Sequence, residues 1–207
     1  MRVVIARIAA QRLVPVVRAA TVADAVATAR VCAEAGMEVV ELTRSTPAVE
    51  EALDELRSDG LVLGLGTVTD RAQVRAAAVA GASFVISFAA PEGLVAEAHR
   101  HGLAAVPGAL TPSEVFACAS EGADAVKIFP ASQFSARYVS DLRTVLPDLR
   151  LTATGGLRAT RESAGAWLAA GADWVGLGGD FGTVADHGAD GLRRKVRAAL
   201  ELAASLD

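Results

Sequence analysis

Ala170-Gly-Ala-Asp-Trp-Val-Gly-Leu-Gly-Gly-Asp180 carries the pattern that decides the fold. An alanine-rich helical stretch ends, Gly171 supplies a left-handed turn, and an apolar run begins two or three residues later. The pattern recurs in Glu34-Ala-Gly-Met-Glu-Val-Val40, Val79-Ala-Gly-Ala-Ser-Phe-Val85 and Glu121-Gly-Ala-Asp-Ala-Val126. Each is the helix-to-strand loop of a βα unit. Short apolar runs occupy 13–17, 39–43, 61–65, 84–88, 103–106, 125–129, 149–153 and 174–177. They are hydrophobic throughout, as parallel strands covered on both faces are. Stretches with helical periodicity separate them.

Eight such units predict an α/β fold, the (β/α)8 TIM barrel. The competing architecture is an open doubly wound sheet. It fits less well, because the count reaches eight and no Gly-x-Gly-x-x-Gly follows the first strand. Thr21-Val-Ala-Asp24 resembles a capping box, and Thr111-Pro-Ser-Glu114 combines an N-cap, an N1 proline and a glutamate at N3. Residues 1–12 are predicted as an extra N-terminal helix closing the barrel's bottom, and 1–207 as one domain.

Composition narrows the function. The chain is 52% hydrophobic with a net charge of −4, and no basic patch with interleaved aromatics appears, which argues against nucleic acid. The basic cluster Arg193-Arg-Lys-Val-Arg197 has the spacing of a solvated helix face. Cys32 and Cys118 have no partner at metal-ligand spacing and read as packing thiols. No metal and no cofactor is expected. No apolar run reaches transmembrane length, and the start lacks the long apolar stretch of a secretory signal. A cytoplasmic protein is the expectation.

Only two lysines occur. Lys195 lies in the basic cluster. Lys127 lies in Asp124-Ala-Val-Lys-Ile-Phe-Pro-Ala-Ser132, inside a predicted buried strand. Burial there lowers an amine's pKa and makes it a nucleophile for Schiff-base chemistry; a strand-end lysine with its head in water is the alternative. Barrel sites lie at the C-terminal strand ends. Glu41, on the second strand, is placed to relay protons there, or to serve as a buried ionic partner. Gly155-Gly156 and Gly178-Gly179 follow strands seven and eight, where barrels bind phosphate through backbone N–H groups. Arg18, at the end of strand one, suits a substrate carboxylate.

Taken together, Val14-Pro-Val-Val-Arg18, Ala35-Gly-Met-Glu-Val-Val-Glu41-Leu-Thr43, Gly64-Leu-Gly-Thr-Val68, Val106-Pro-Gly-Ala-Leu-Thr-Pro-Ser-Glu114, Val126-Lys-Ile-Phe-Pro-Ala131 and Thr154-Gly-Gly-Leu157 resemble the class I 2-keto-3-deoxy-6-phosphogluconate (KDPG) and 4-hydroxy-2-oxoglutarate (KHG) aldolases. The resemblance spans nearly the whole chain. It implies a metal-independent aldolase that splits a 2-keto-3-deoxy sugar acid into pyruvate and an aldehyde. Lys127 would form the imine and Glu41 would shuttle protons. Phe129 would pack on the imine, and Thr67 and Thr154 would contact the pyruvate portion. It also implies a homotrimer. Two rival functions are an imine-forming decarboxylase of a β-keto acid and a barrel that binds sugar acids or phosphate without catalysis.

The chain departs from the family pattern at three places. An arginine commonly stands where Ser45 does, so Arg44 or Arg18 must take the carboxylate. Strand four runs into Ser87-Phe88-Ala89-Ala90 in place of Ser-Pro-Gly. Strand eight ends Gly178-Gly179-Asp180 in place of a serine, and an aspartate repels phosphate by on the order of several kcal/mol in a partly dry pocket. The expectation is an unphosphorylated or differently substituted substrate. Alternatively, Asp180 turns outward to cap the following helix and phosphate binds on backbone N–H groups.

Overall fold

A ring of parallel strands, tied in the order β5-β4-β3-β2-β1-β9-β8-β7-β6, forms the centre of the computed structural model, which describes residues 1–206. The strands are β1 (Leu13–Val17), β2 (Val39–Thr43), β3 (Val62–Gly66), β4 (Phe84–Ile86), β5 (Ala104–Val106), β6 (Gly108–Ala109), β7 (Val126–Ile128), β8 (Leu151–Thr154) and β9 (Trp174–Leu177). β5 and β6 are two halves of the fifth barrel strand. Pro107 divides them because it has no N–H to give the ladder. Its carbonyl still accepts the Lys127 N–H at 2.8 Å, and β6 pairs with β7, so the seam is bridged. The TIM-barrel expectation holds, with strand edges moved by one or two residues.

Helices α2 (Val22–Glu34), α3 (Val49–Leu56), α4 (Arg71–Val79), α5 (Leu94–Arg100), α6 (Pro112–Ser120), α7 (Arg137–Val145), α8 (Ala166–Ala169) and α9 (Val184–Ala204) surround the ring. A π-helical turn at Arg161–Gly165 leads into α8. Thr111 and Glu114 make the anticipated capping box at α6, whereas Thr21 only accepts from the Asp24 N–H. No described helix is long and apolar enough to cross a membrane.

Two cores result from strand alternation. Outward side chains such as Leu42, Leu65 and Val85 pack against the helices. Inward ones, including Val39, Val62, Phe84 and Trp174, fill the lower barrel. Helix α1 (Arg2–Gln11) plugs the bottom with Ile5 and Ile8, as predicted. Gln11 fastens it: its Oε1 accepts the Glu38 and Val39 N–H groups, and its Nε2 donates to the Leu13 and Val39 carbonyls. Cys32 and Cys118 are buried free thiols, with burial pushing them up to about 12 and about 11.

Candidate active site

β2 and β7 are the second and sixth strands of an eight-membered ring, so they stand on opposite sides of it. Glu41 and Lys127 are inward positions on these strands and are 3% and 4% exposed. Burial is the main influence on both. It holds the Lys127 ammonium below the usual lysine value and raises the Glu41 carboxyl above the usual carboxylate value. Each charge opposes the shift of the other. Arg18 favours the ionised form of Glu41 and the neutral form of Lys127.

The surrounding surface is set by strand ends. A pocket of about 700 Å³ opens at the C-terminal rim, lined by Arg18, Phe129, Thr154, Gly155, Gly156, Arg158, Gly178, Gly179 and Asp180 among others. The Phe129 ring centre lies 5.3 Å from Lys127 Nζ. Phe88, 43% exposed, tilts against Phe129 with ring centres 6.3 Å apart. Where the family has Ser-Pro-Gly, this chain thus places a second ring beside Phe129. Thr154 Oγ1 is the one fully buried side-chain polar atom among the described residues that has no hydrogen-bond partner. That hydroxyl packs against the bare Cα of Gly176, where a Cβ would come within 2.4 Å of it. Thr67 sits at the end of β3 with φ 63°, an unusual conformation for a β-branched residue and one that marks functional rims.

The structure separates the two arginine candidates. Arg18 lines the pocket. Arg44 is ion-paired with Glu50 in the first turn of α3, while Ser45 bonds Thr43 Oγ1 at 2.6 Å. Asp180 lines the pocket but does not cap the helix that follows it. Its Oδ2 accepts the Ala159 N–H at 2.8 Å, joining the loops after β8 and β9. The cap of α9 is instead the Thr183–Asp186 box. Lys195, read as a solvated residue, is half-buried and donates to the Asp180 carbonyl. Sequence reasoning missed Arg158, an exposed cation on the pocket wall. Its signal was available: it follows Thr154-Gly-Gly-Leu157 in the same strand-seven loop. Among the described residues no cluster of His, Cys, Asp and Glu could hold a metal ion.

A family model for KDPG and KHG aldolases matches residues 4–190. The chain belongs to the KDPG/KHG aldolase family. This aldolase, a lyase, is 33% identical over 173 residues to the 2-dehydro-3-deoxy-6-phosphogalactonate aldolase of Escherichia coli, covering 82% of this chain and 83% of the relative. It is 33% identical over 149 residues to the 2-dehydro-3-deoxy-phosphogluconate aldolase of Treponema pallidum, covering 70% and 71%. A solved 4-hydroxy-2-oxoglutarate/2-dehydro-3-deoxyphosphogluconate aldolase superposes with TM-score 0.83 at 35% identity, covering 96% of this aldolase and 98% of that chain.

The electrostatics set a sign. Arg18 contributes to keeping the Lys127 amine neutral, so Arg18→Gln should raise the amine's pKa. The pH profile for borohydride trapping of the imine at saturating pyruvate should then move to higher pH. An unmoved or downward-shifted profile would remove Arg18 from the electrostatics of Lys127.

Proposed function

We propose that Lys127 is the Schiff-base nucleophile and Glu41 the proton shuttle of a class I aldolase acting on a 2-keto-3-deoxy sugar acid. The observation carrying this reading is the pair itself, an amine with lowered pKa facing a carboxyl with raised pKa inside one barrel mouth. The neutral Lys127 amine attacks the C2 carbonyl carbon. Glu41 protonates the carbinolamine hydroxyl, which leaves as water and yields an iminium. The resulting carboxylate takes the proton of the C4 hydroxyl. The C3–C4 bond then breaks, its electrons pass into the iminium to form an enamine, and an aldehyde departs. Protonation of the enamine at C3 and hydrolysis return pyruvate and the free amine. In this scheme Phe129 flanks the imine. Thr154 Oγ1 and Thr67 contact the pyruvate portion, and Arg18 holds the carboxylate.

The distal end of the substrate falls to the loops after β8 and β9. The sequence alone favoured an unphosphorylated end because of Asp180. Two features now favour an anionic end: Arg158 stands on the pocket wall, and the Asp180 carboxylate is engaged by the Ala159 N–H. Backbone N–H groups around Gly155-Gly156 and Gly178-Gly179 supply further donors. A phosphorylated 2-keto-3-deoxy sugar acid is the substrate class we infer, in line with the activities named for the relatives. We assign the interface of the homotrimer implied by the family resemblance to the outer side of α6 and α7. There Phe116 and Val145 are 62% and 69% exposed beside a shared groove.

Borohydride reduction with pyruvate should add the mass of a reduced pyruvate adduct on Lys127, and Lys127→Met should lower kcat by at least about a thousandfold. An unmodified Lys127 at saturating pyruvate would leave a non-catalytic binder. Arg158→Ala should raise KM about tenfold (~1.4 kcal/mol) for the phosphorylated substrate and leave the unphosphorylated analogue nearly unchanged. A higher kcat/KM for the unphosphorylated compound in the parent enzyme would overturn the anionic end. Light scattering should give three times the chain mass, reduced by Phe116→Glu with Val145→Glu; a monomeric parent would exclude the trimer.

A further inference from the structure

The inward face of β3 carries no side chain beyond hydrogen at two successive levels, Gly64 and Gly66. The two vacancies are filled from opposite sides. A Cβ on Gly64 would lie 2.1 Å from the Phe84 ring, which enters from β4. A Cβ on Gly66 would lie 1.9 Å from Glu41 Oε1, 2.8 Å from its Cδ and 3.0 Å from its Cγ. In the ladder, Glu41 pairs with Gly64, and Thr43 pairs with Gly66. The Glu41 side chain therefore extends one inward level toward the rim and rests on the bare Cα of the neighbouring strand.

We propose that Gly66 is a positioning residue: its missing side chain is the berth that holds the Glu41 carboxylate facing Lys127. The inference rests on reading Glu41 as the proton shuttle. The φ of Gly66 lies outside the left-handed region, so a strand alanine is compatible with its backbone. The atoms that a methyl group would meet are the far end of one flexible side chain and not the backbone. The disturbance falls on the placement of the carboxylate, and proton transfer is sensitive to such displacements. Gly64 offers the contrast, since a methyl there meets a buried ring with nowhere to go.

The test is a double-variant cycle of Gly66→Ala with Glu41→Ala, read by steady-state kinetics and by thermal melting. Gly66→Ala alone should lower kcat tenfold or more with KM changed less than threefold, and should lower the melting temperature. In the Glu41→Ala background, where the berth is empty, the same substitution should change neither residual kcat nor melting temperature. Turnover of Gly66→Ala within twofold of the parent would overturn the proposal. Equal losses in both backgrounds would do so too, because the methyl would then clash with something other than the carboxylate. If Gly66→Ala alone fails to fold, a folded double variant supports the berth and an unfolded one refutes it. Parent-like turnover by Glu41→Ala would instead refute the shuttle reading, while the melting cycle would still report the steric coupling.

Discussion

Everything at the mouth of this barrel depends on an amine and a carboxyl that are almost wholly removed from water. Neither Lys127 nor Glu41 could be charged there cheaply in isolation. Each lessens the other's desolvation penalty, and Arg18 biases the pair by favouring the carboxylate and the neutral amine. The fold makes this possible by holding the two groups on opposite walls of a ring. Each influences the other's protonation across the ring. The closed lower core of Val39, Val62, Phe84 and Trp174 gives the ring an apolar floor.

Around this pair the chain uses absence of side chains as much as their presence. β3 contributes no inward bulk at its upper levels. On β9, a Cβ at Gly176 would come within 2.4 Å of Thr154 Oγ1. Gly108 lets the backbone after Phe88 approach closely enough to bring that ring onto Phe129, since a Cβ would stand 2.3 Å from the Phe88 carbonyl carbon. In each case a glycine on one strand fixes where a neighbouring element places its functional side chain. The cost is flexibility in the unfolded chain, and the paired ladders restrain it in the folded one.

Much of the fold was legible because βα repeats leave periodic marks. β1, β2 and β9 begin and end where apolar β-branched runs do. The fifth strand was harder, because Pro107 withholds a donor in mid-strand and divides one apolar run into two short ladders. Lys127 and Glu41 stood out as polar residues in apolar company. Arg158 was marked only by its place after Thr154-Gly-Gly-Leu157, since an arginine in a loop has no apolar company to contrast with. The partners of Arg44 and Asp180 were invisible for a related reason. Arg44 could turn toward the substrate or toward Glu50, and Asp180 toward a ligand or toward Ala159. Such choices are settled by the three-dimensional neighbourhood and leave no trace in spacing.

The α1 plug has a kinetic meaning as well as a structural one. With Ile5 and Ile8 sealing one end and Gln11 stitching the helix to β1 and β2, the ring is a vessel with a single door. In the proposed mechanism a keto acid would be held covalently on Lys127 while the aldehyde half would be free to depart. The aldehyde would then leave ahead of pyruvate, and in the condensing direction pyruvate would have to be seated before an aldehyde could join it.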